Sequence, residues 1–234
     1  MSKPEINPNH QRPPLALSSD TSESSQHEKV NKHAKLMGPT KAETALLPDF
    51  PGLSPNHIHI PTSQAECQHA VDEIVAAGVC GFDTEAKPTF RKGEKSDGPH
   101  VVQCALTDKA YIFQLHRSEC EKAVANLIQS EHVLKVGFGL KNDHGQIRHR
   151  LGITLNQTLD LDQTFRKLGY RGQIGVRGAI GVLLQQCFKK SKSTTTSNWA
   201  LKELSPRQLL YAANDAYAAL KVMEALQTQG YLER

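Results

Sequence analysis

Two acidic residues, Asp83 and Glu85, stand two apart at the end of the apolar run Val79-Cys80-Gly81-Phe82. Side chains alternate faces along an extended strand, so both carboxylates leave the same face and together offer hard oxygen ligands to a divalent cation. Spacing alone favours a solvated strand end, because acidic pairs are common there. The apolar context argues for more, since it reads as a central strand. Asp143 falls where the run from Val133 to Phe138 gives way to a helix. It could serve there as an N-cap, or it could meet a carboxylate from a neighbouring strand, since strand ends in α/β sheets are where sites are assembled. Tyr211 and Asp215 are four apart and stack on one face of the last helix, away from its apolar stripe of Leu209, Ala213, Ala216, Leu220 and Met223. That face looks either to solvent or into a cleft.

As a set, the four carboxylates and the tyrosine have the composition of a two-metal hydrolytic centre, in which ions roughly 3.5–4 Å apart activate a water and stabilise the leaving oxygen of a phosphodiester. Asp83 would bridge both ions, Glu85 and Asp215 would ligate one, and Asp143 the other. The Tyr211 hydroxyl would orient the attacking water.

The elements that must position these groups follow from periodicity and caps. His57 to Ile60 alternates like a short strand, and Ser63 with Glu66 forms a capping box opening a helix that ends near Gly78. Val79 to Ala86, Val101 to Leu106 and Ala110 to Leu115 read as strands, the last two joined by a tight turn in a meander. A helix from Ser118 to Gln129, a strand from Val133 to Phe138 and a helix from Asn142 to Leu151 come next. Glycines at every third position from Gly169 to Gly181 suggest an irregular loop entering a helix. Ser205, Pro206 and Gln208 open the final helix with the best-marked start in the chain.

Composition bounds the rest. The chain has 234 residues with a formal net charge of +4, and its first fifty residues carry six basic and six acidic groups, so the surplus lies beyond them. Residues 1–53 are rich in Ser, Pro, Asn, His and Lys and read as a disordered polar tail, expected to be dispensable up to about Pro51. Residues 54–234 form the domain. No apolar run approaches the roughly 18 residues that span a bilayer, and the N-terminus shows no apolar signal core, so a soluble, intracellular protein is expected: cytoplasmic, or nuclear in a eukaryote, with no membrane partner. Five cysteines without Cys-x-x-Cys spacing suggest reduced packing residues.

Several residues invite a function and are read otherwise. His144 beside Asp143 reads as a surface or capping residue, and Asp160 with Asp162 as caps of a helix around Thr164 to Leu168. Trp199 reads as core. The lysines at 189, 190 and 192, in a loop with the composition of a mobile surface segment, and Lys87, Arg91 and Lys92 could equally track a phosphate backbone or be solvated.

Gly81-Phe82-Asp83-Thr84-Glu85, then Val136-Gly137-Phe138-Gly139 leading to Asp143, then Tyr211-Ala212-Ala213-Asn214-Asp215-Ala216-Tyr217, resemble the three ordered motifs of the DEDDy-type 3′-to-5′ exonucleases. The branch resembled is that of ribonuclease D and the Werner syndrome exonuclease domain, and Ser197-Asn198-Trp199 resembles it too. The resemblance implies a ribonuclease H-like α/β fold with a mixed five-stranded sheet flanked by helices. It also implies two divalent ions, Mg²⁺ or Mn²⁺, and a nucleic-acid partner, either a single strand or the 3′ end of DNA or RNA. A nucleic-acid-binding or adaptor module with little turnover is the alternative, and a phosphatase acting on small phosphates, which needs an enclosed pocket, is a third.

Overall fold

The computed structural model describes residues 36–89, 93 and 96–233. In chain order the elements are α1 (Lys41–Thr44), β1 (Ile58–His59), α2 (Gln64–Ala77), β2 (Val79–Glu85), β3 (Val101–Ala105), β4 (Ala110–Gln114) and α3 (Ser118–Gln129). They continue with β5 (Leu134–Gly137), α4 (Lys141–Leu151), β6 (Thr158–Asp160), α5 (Leu161–Lys167), α6 (Gly175–Leu184), α7 (Lys192–Thr195) and α8 (Pro206–Thr228). The expected capping boxes form at Ser63 and Ser205, and Gly78 closes α2 in the left-handed conformation that glycine adopts without a Cβ penalty.

The sheet is mixed, with order β1-β4-β3-β2-β5-β6. β2 is central: it runs antiparallel to β3 and parallel to β5, while β4 is antiparallel to β3 and parallel to β1. Six strands are present where five were expected. The edges are β1, which the sequence showed, and the three-residue β6, which it did not, because a pattern of three residues is too brief to register as a period.

Alternation in β2 sends Phe82 and Cys80 into one core layer, with α2 and α3. Gly81, Asp83 and Glu85 take the opposite face, where α8 lies. That approach depends on small side chains. Ala212, Ala213 and Ala216 of α8 pack against Val101, Ala105, Ala110 and Ile112, and a Cβ placed on Gly81 would fall on the carbonyl of Ala216. The helix is therefore pressed onto the central strand, so its Asp215 can meet Asp83.

The domain was expected to begin at residue 54. Residues 1–35 lie outside the described residues, but residues 36–53 are part of the packed unit. Leu36 and Leu53 are buried, and Phe50 packs edge-on to Phe188 with ring centroids 5.7 Å apart. Cys187 N–H donates to the Pro48 carbonyl at 2.7 Å, and Phe50 N–H to the Cys187 carbonyl at 3.0 Å. Leu53 N–H donates to Asn214 Oδ1 at 2.7 Å. The apolar residues of this strap are scattered among polar ones, so average composition hides them. Deleting it would strip support from Asn214, beside Asp215, and from the segment that follows Cys187.

Cys67 of α2 and Cys120 of α3 lie side by side with Cα atoms 5.3 Å apart, a separation that a disulfide can span. Separated by 53 residues, they are brought together only by the packing of the two helices. Cys80, Cys104 and Cys187 are buried thiols. Among the described residues no helix is long and apolar enough to cross a membrane.

Candidate active site

All five residues singled out from the sequence converge at the carboxyl end of β2. Asp83, Glu85 and Asp215 each offer a carboxylate oxygen, and these atoms all lie within 4.8 Å of one another. Asp143 stands in the first turn of α4 and is not its N-cap, a position held by Leu140. Its carboxylate enters the same cleft as Asp83 and Asp215 from the other side, where Oδ1 accepts the Thr84 hydroxyl hydrogen at 2.6 Å. The face of α8 bearing Tyr211 and Asp215 thus looks into a cleft rather than to solvent, and Asp215 is only 5% exposed. The Tyr211 hydroxyl shares a 2.8 Å hydrogen bond with Thr195 Oγ1. Its ring stacks obliquely on Trp199, which is core as expected, with centroids 5.9 Å apart.

Crowded carboxylates resist ionisation, and each responds to its own surroundings. Burial, then repulsion from Asp143 and Asp215, holds Asp83 well above the usual carboxylate range. Burial, then Asp83 and Asp215, pushes Glu85 up to about 9. Burial raises Asp143 to about 6 against the opposing hydrogen bond from Thr84. Burial also raises Asp215, while the ammonium of Lys190, 2.8 Å from its Oδ2, opposes the rise. The Tyr211 phenol is raised by burial and by Asp215, so it keeps its proton.

The residues present suit divalent cations. Three mutually repelling carboxylates converge, and Oδ1 of Asp215 is buried with no hydrogen-bond donor. Gln103, paired across the strands with Asp83 and so on the same face, is fully buried with neither amide atom bonded. Buried polar atoms are nearly always satisfied, so these orphans mark a place where the protein supplies more polar capacity than it uses itself.

The bystanders resolve into supports. Asp160 caps α5, and its Oδ1 accepts from Asp162 N–H at 3.0 Å and from Gly139 N–H at 3.1 Å. Asp162 Oδ1 accepts from Gly175 N–H at 3.0 Å. Gly139 and Gly175 line the cleft, so this acidic pair shapes its wall without joining its floor. Arg91 and Lys92 lie outside the described residues. Reading the sequence missed three residues. Thr84 could have been suspected from its place between the two acids, and Gln103 from its place on the neighbouring strand of the meander. Lys190 was read as one of several loop cations, and nothing in its local sequence sets it apart from Lys189 or Lys192.

The raised carboxyls have a consequence for stability. Glu85 has an ordinary value of 4.5 and a folded value of about 9, so the folded protein holds more protons than the unfolded chain between those limits. Asp143 adds the same effect between 3.8 and about 6. Their contribution is fully present below the unfolded values and is lost as pH rises through the folded ones. In chelator, the melting temperature is therefore expected to fall from pH 5 to pH 9, and excess Mn²⁺ should flatten the decline. A chelated profile that is level or rises would contradict these protonation states.

A family model described as 3′-5′ exonuclease matches residues 58–230. The chain is 29% identical over 149 residues to a 3′-5′ exonuclease of Arabidopsis thaliana, covering 63% of this chain and 52% of that protein. It is also 29% identical over 154 residues to the mouse bifunctional 3′-5′ exonuclease/ATP-dependent helicase WRN, covering 65% of this chain and 11% of that protein. The chain thus spans about half or less of the length of these relatives. In three dimensions it is similar to RNase D of Trypanosoma brucei solved in complex with RNA, with a TM-score of 0.64, 17% identity, and coverage of 72% of this chain and 62% of that one.

Proposed function

Because the chain belongs to the 3′-5′ exonuclease family, we propose that it removes nucleotides one at a time from the 3′ end of a DNA or RNA strand with the help of two divalent ions, Mg²⁺ or Mn²⁺. The observation that carries this reading is the convergence of Asp83, Glu85 and Asp215 within 4.8 Å, with Asp143 across the cleft and the Tyr211 side chain alongside. Asp83, Glu85 and Asp215 would hold one ion, and Asp83 with Asp143 the other. Bound there, the ions would supply Lewis acidity to the phosphoryl oxygens and lower the pKa of the attacking water.

The chain's own residues do the positioning. Thr84 fixes the Asp143 carboxylate, and Thr195 and Trp199 fix Tyr211, whose retained proton suits it to orient a water rather than to act as a base. A neighbouring groove that shares Asp215 is lined by Lys189, Ser191, Arg207 and Tyr211, groups able to follow a phosphate backbone. In this reading residues 36–233 make the catalytic unit. The four intact carboxylates favour turnover over an adaptor role.

The test is hydrolysis of 5′-labelled single-stranded DNA and RNA in Mg²⁺, Mn²⁺ or chelator. A ladder shortening from the 3′ end and abolished by chelator is expected; intact strands in the presence of metal-loaded protein would refute the reading. Tyr211→Phe is expected to lower kcat by about a hundredfold, the scale of a lost orienting contact, while leaving Mn²⁺ affinity unchanged. Single-turnover rates and metal titration check it, and undiminished kcat would remove Tyr211 from the site.

A further inference from the structure

A cation already sits among the carboxylates. Nζ of Lys190 lies 2.8 Å from Oδ2 of Asp215 and 5.3 Å from the centre of the Tyr211 ring, within cation–π range. The backbone on either side of it is held. Cys187 is hydrogen-bonded to Pro48 and Phe50 of the N-terminal strap, and Lys189 forms a 2.6 Å ion pair with Asp49. On the other side the Ser191 hydroxyl accepts from Arg207 at 2.8 Å. What can swing between these anchors is the four-carbon stem of Lys190, whose side chain is 36% exposed while that of Asp215 is 3% exposed.

Oδ2 of Asp215 is an oxygen that a divalent ion ligated by Asp83, Glu85 and Asp215 would need. An ammonium and a metal ion cannot share it at contact distance without direct like-charge repulsion in a cleft where water screens poorly. We propose that Lys190 is a tethered counter-ion of this centre: its ammonium neutralises Asp215 in the metal-free protein and must give up that oxygen when a divalent ion binds. The proposal rests on the metal reading given above. It assigns to a loop residue the setting of metal affinity. By linkage, whatever free energy the Lys190–Asp215 pair contributes to the metal-free protein is subtracted from metal binding. The centre therefore binds ions less tightly than its carboxylates alone would, and is stable without them.

Lys190→Met removes the charge and keeps most of the stem. Mn²⁺ binding without nucleic acid, followed by calorimetry or by the paramagnetic signal of free Mn²⁺, is expected to be about tenfold tighter in the variant. The variant should also melt below wild type in chelator and lose that deficit in excess Mn²⁺. Equal or weaker Mn²⁺ affinity in the variant, with wild type binding normally, would overturn this proposal alone. No Mn²⁺ binding by either protein would overturn the metal reading and this one with it. Should the variant fail to fold, wild type suffices: acetylation of Lys190 by an N-hydroxysuccinimide ester, read by mass spectrometry, should rise severalfold on adding Mn²⁺. Unchanged labelling would overturn the proposal.

Discussion

Asp83→Asn is expected to abolish metal-dependent cleavage, by about a thousandfold or more, while leaving the fold intact and making the metal-free protein harder to melt. The two halves of this expectation have one cause. Asp83 is held well above the usual carboxylate range by burial and by Asp143 and Asp215, so its ionised form is unfavourable in the folded chain unless cations compensate it. Asparagine keeps the volume and removes the charge. In the proposed two-ion centre it would delete the bridging ligand and, in the same step, the repulsion among Asp143, Asp215 and itself. Single-turnover cleavage and melting in chelator at pH 8 check the two halves together. Lost activity with raised or unchanged melting temperature marks a functional carboxylate. Lost activity with a large drop in melting temperature would mean that Asp83 supports the fold, and retained activity would remove it from the site.

Gly81→Val is expected to have the second-largest effect, through geometry alone. Gly81 does not have a positive φ; what it supplies is room. A Cβ there would meet the carbonyl of Ala216 and crowd the Leu220 side chain at 3.2 Å, so α8 must move off the central strand. Overpacking of this kind costs about 1–3 kcal/mol. The larger consequence is catalytic, because Asp215 rides on the displaced helix and the three-carboxylate cluster spans only 4.8 Å. Activity per folded molecule and Mn²⁺ affinity should both fall severely, even where denaturant titration shows most of the protein folded. Gly145→Ala in α4 is the control: a Cβ there meets nothing within 4 Å, and a helix gains about 0.5–1 kcal/mol from the change. A folded Gly81→Val protein of normal activity would show that the helix can yield without cost to the site.

Several features of this protein were legible before any coordinates. Asp83 and Glu85 had to share a face because a strand alternates, and Tyr211 and Asp215 had to share one because a helix repeats every 3.6 residues. The capping boxes at Ser63 and Ser205 act over four residues, so they could be read as written. Where signals were short or diluted, reading failed: β6 spans three residues, and the strap at 36–53 carries its buried groups singly among polar neighbours. Lys190 and Lys189 are adjacent and chemically identical, yet one pairs with Asp215 in the centre and the other with Asp49 at the surface.

The sequence by itself determined which groups could do chemistry, in what order, and on which face of each element, because these follow from residue identity and the local repeat of strand and helix. Only the tertiary structure decided that α8 lies close enough to β2 to bring Asp215 to Asp83, that Thr84 holds Asp143, and that Lys190 rather than its neighbours enters the cluster. Those contacts join residues 25 to 132 positions apart. At such separations they depend on how whole layers pack, on a missing Cβ at Gly81 and on a strap anchored elsewhere, and no local pattern along the chain encodes that.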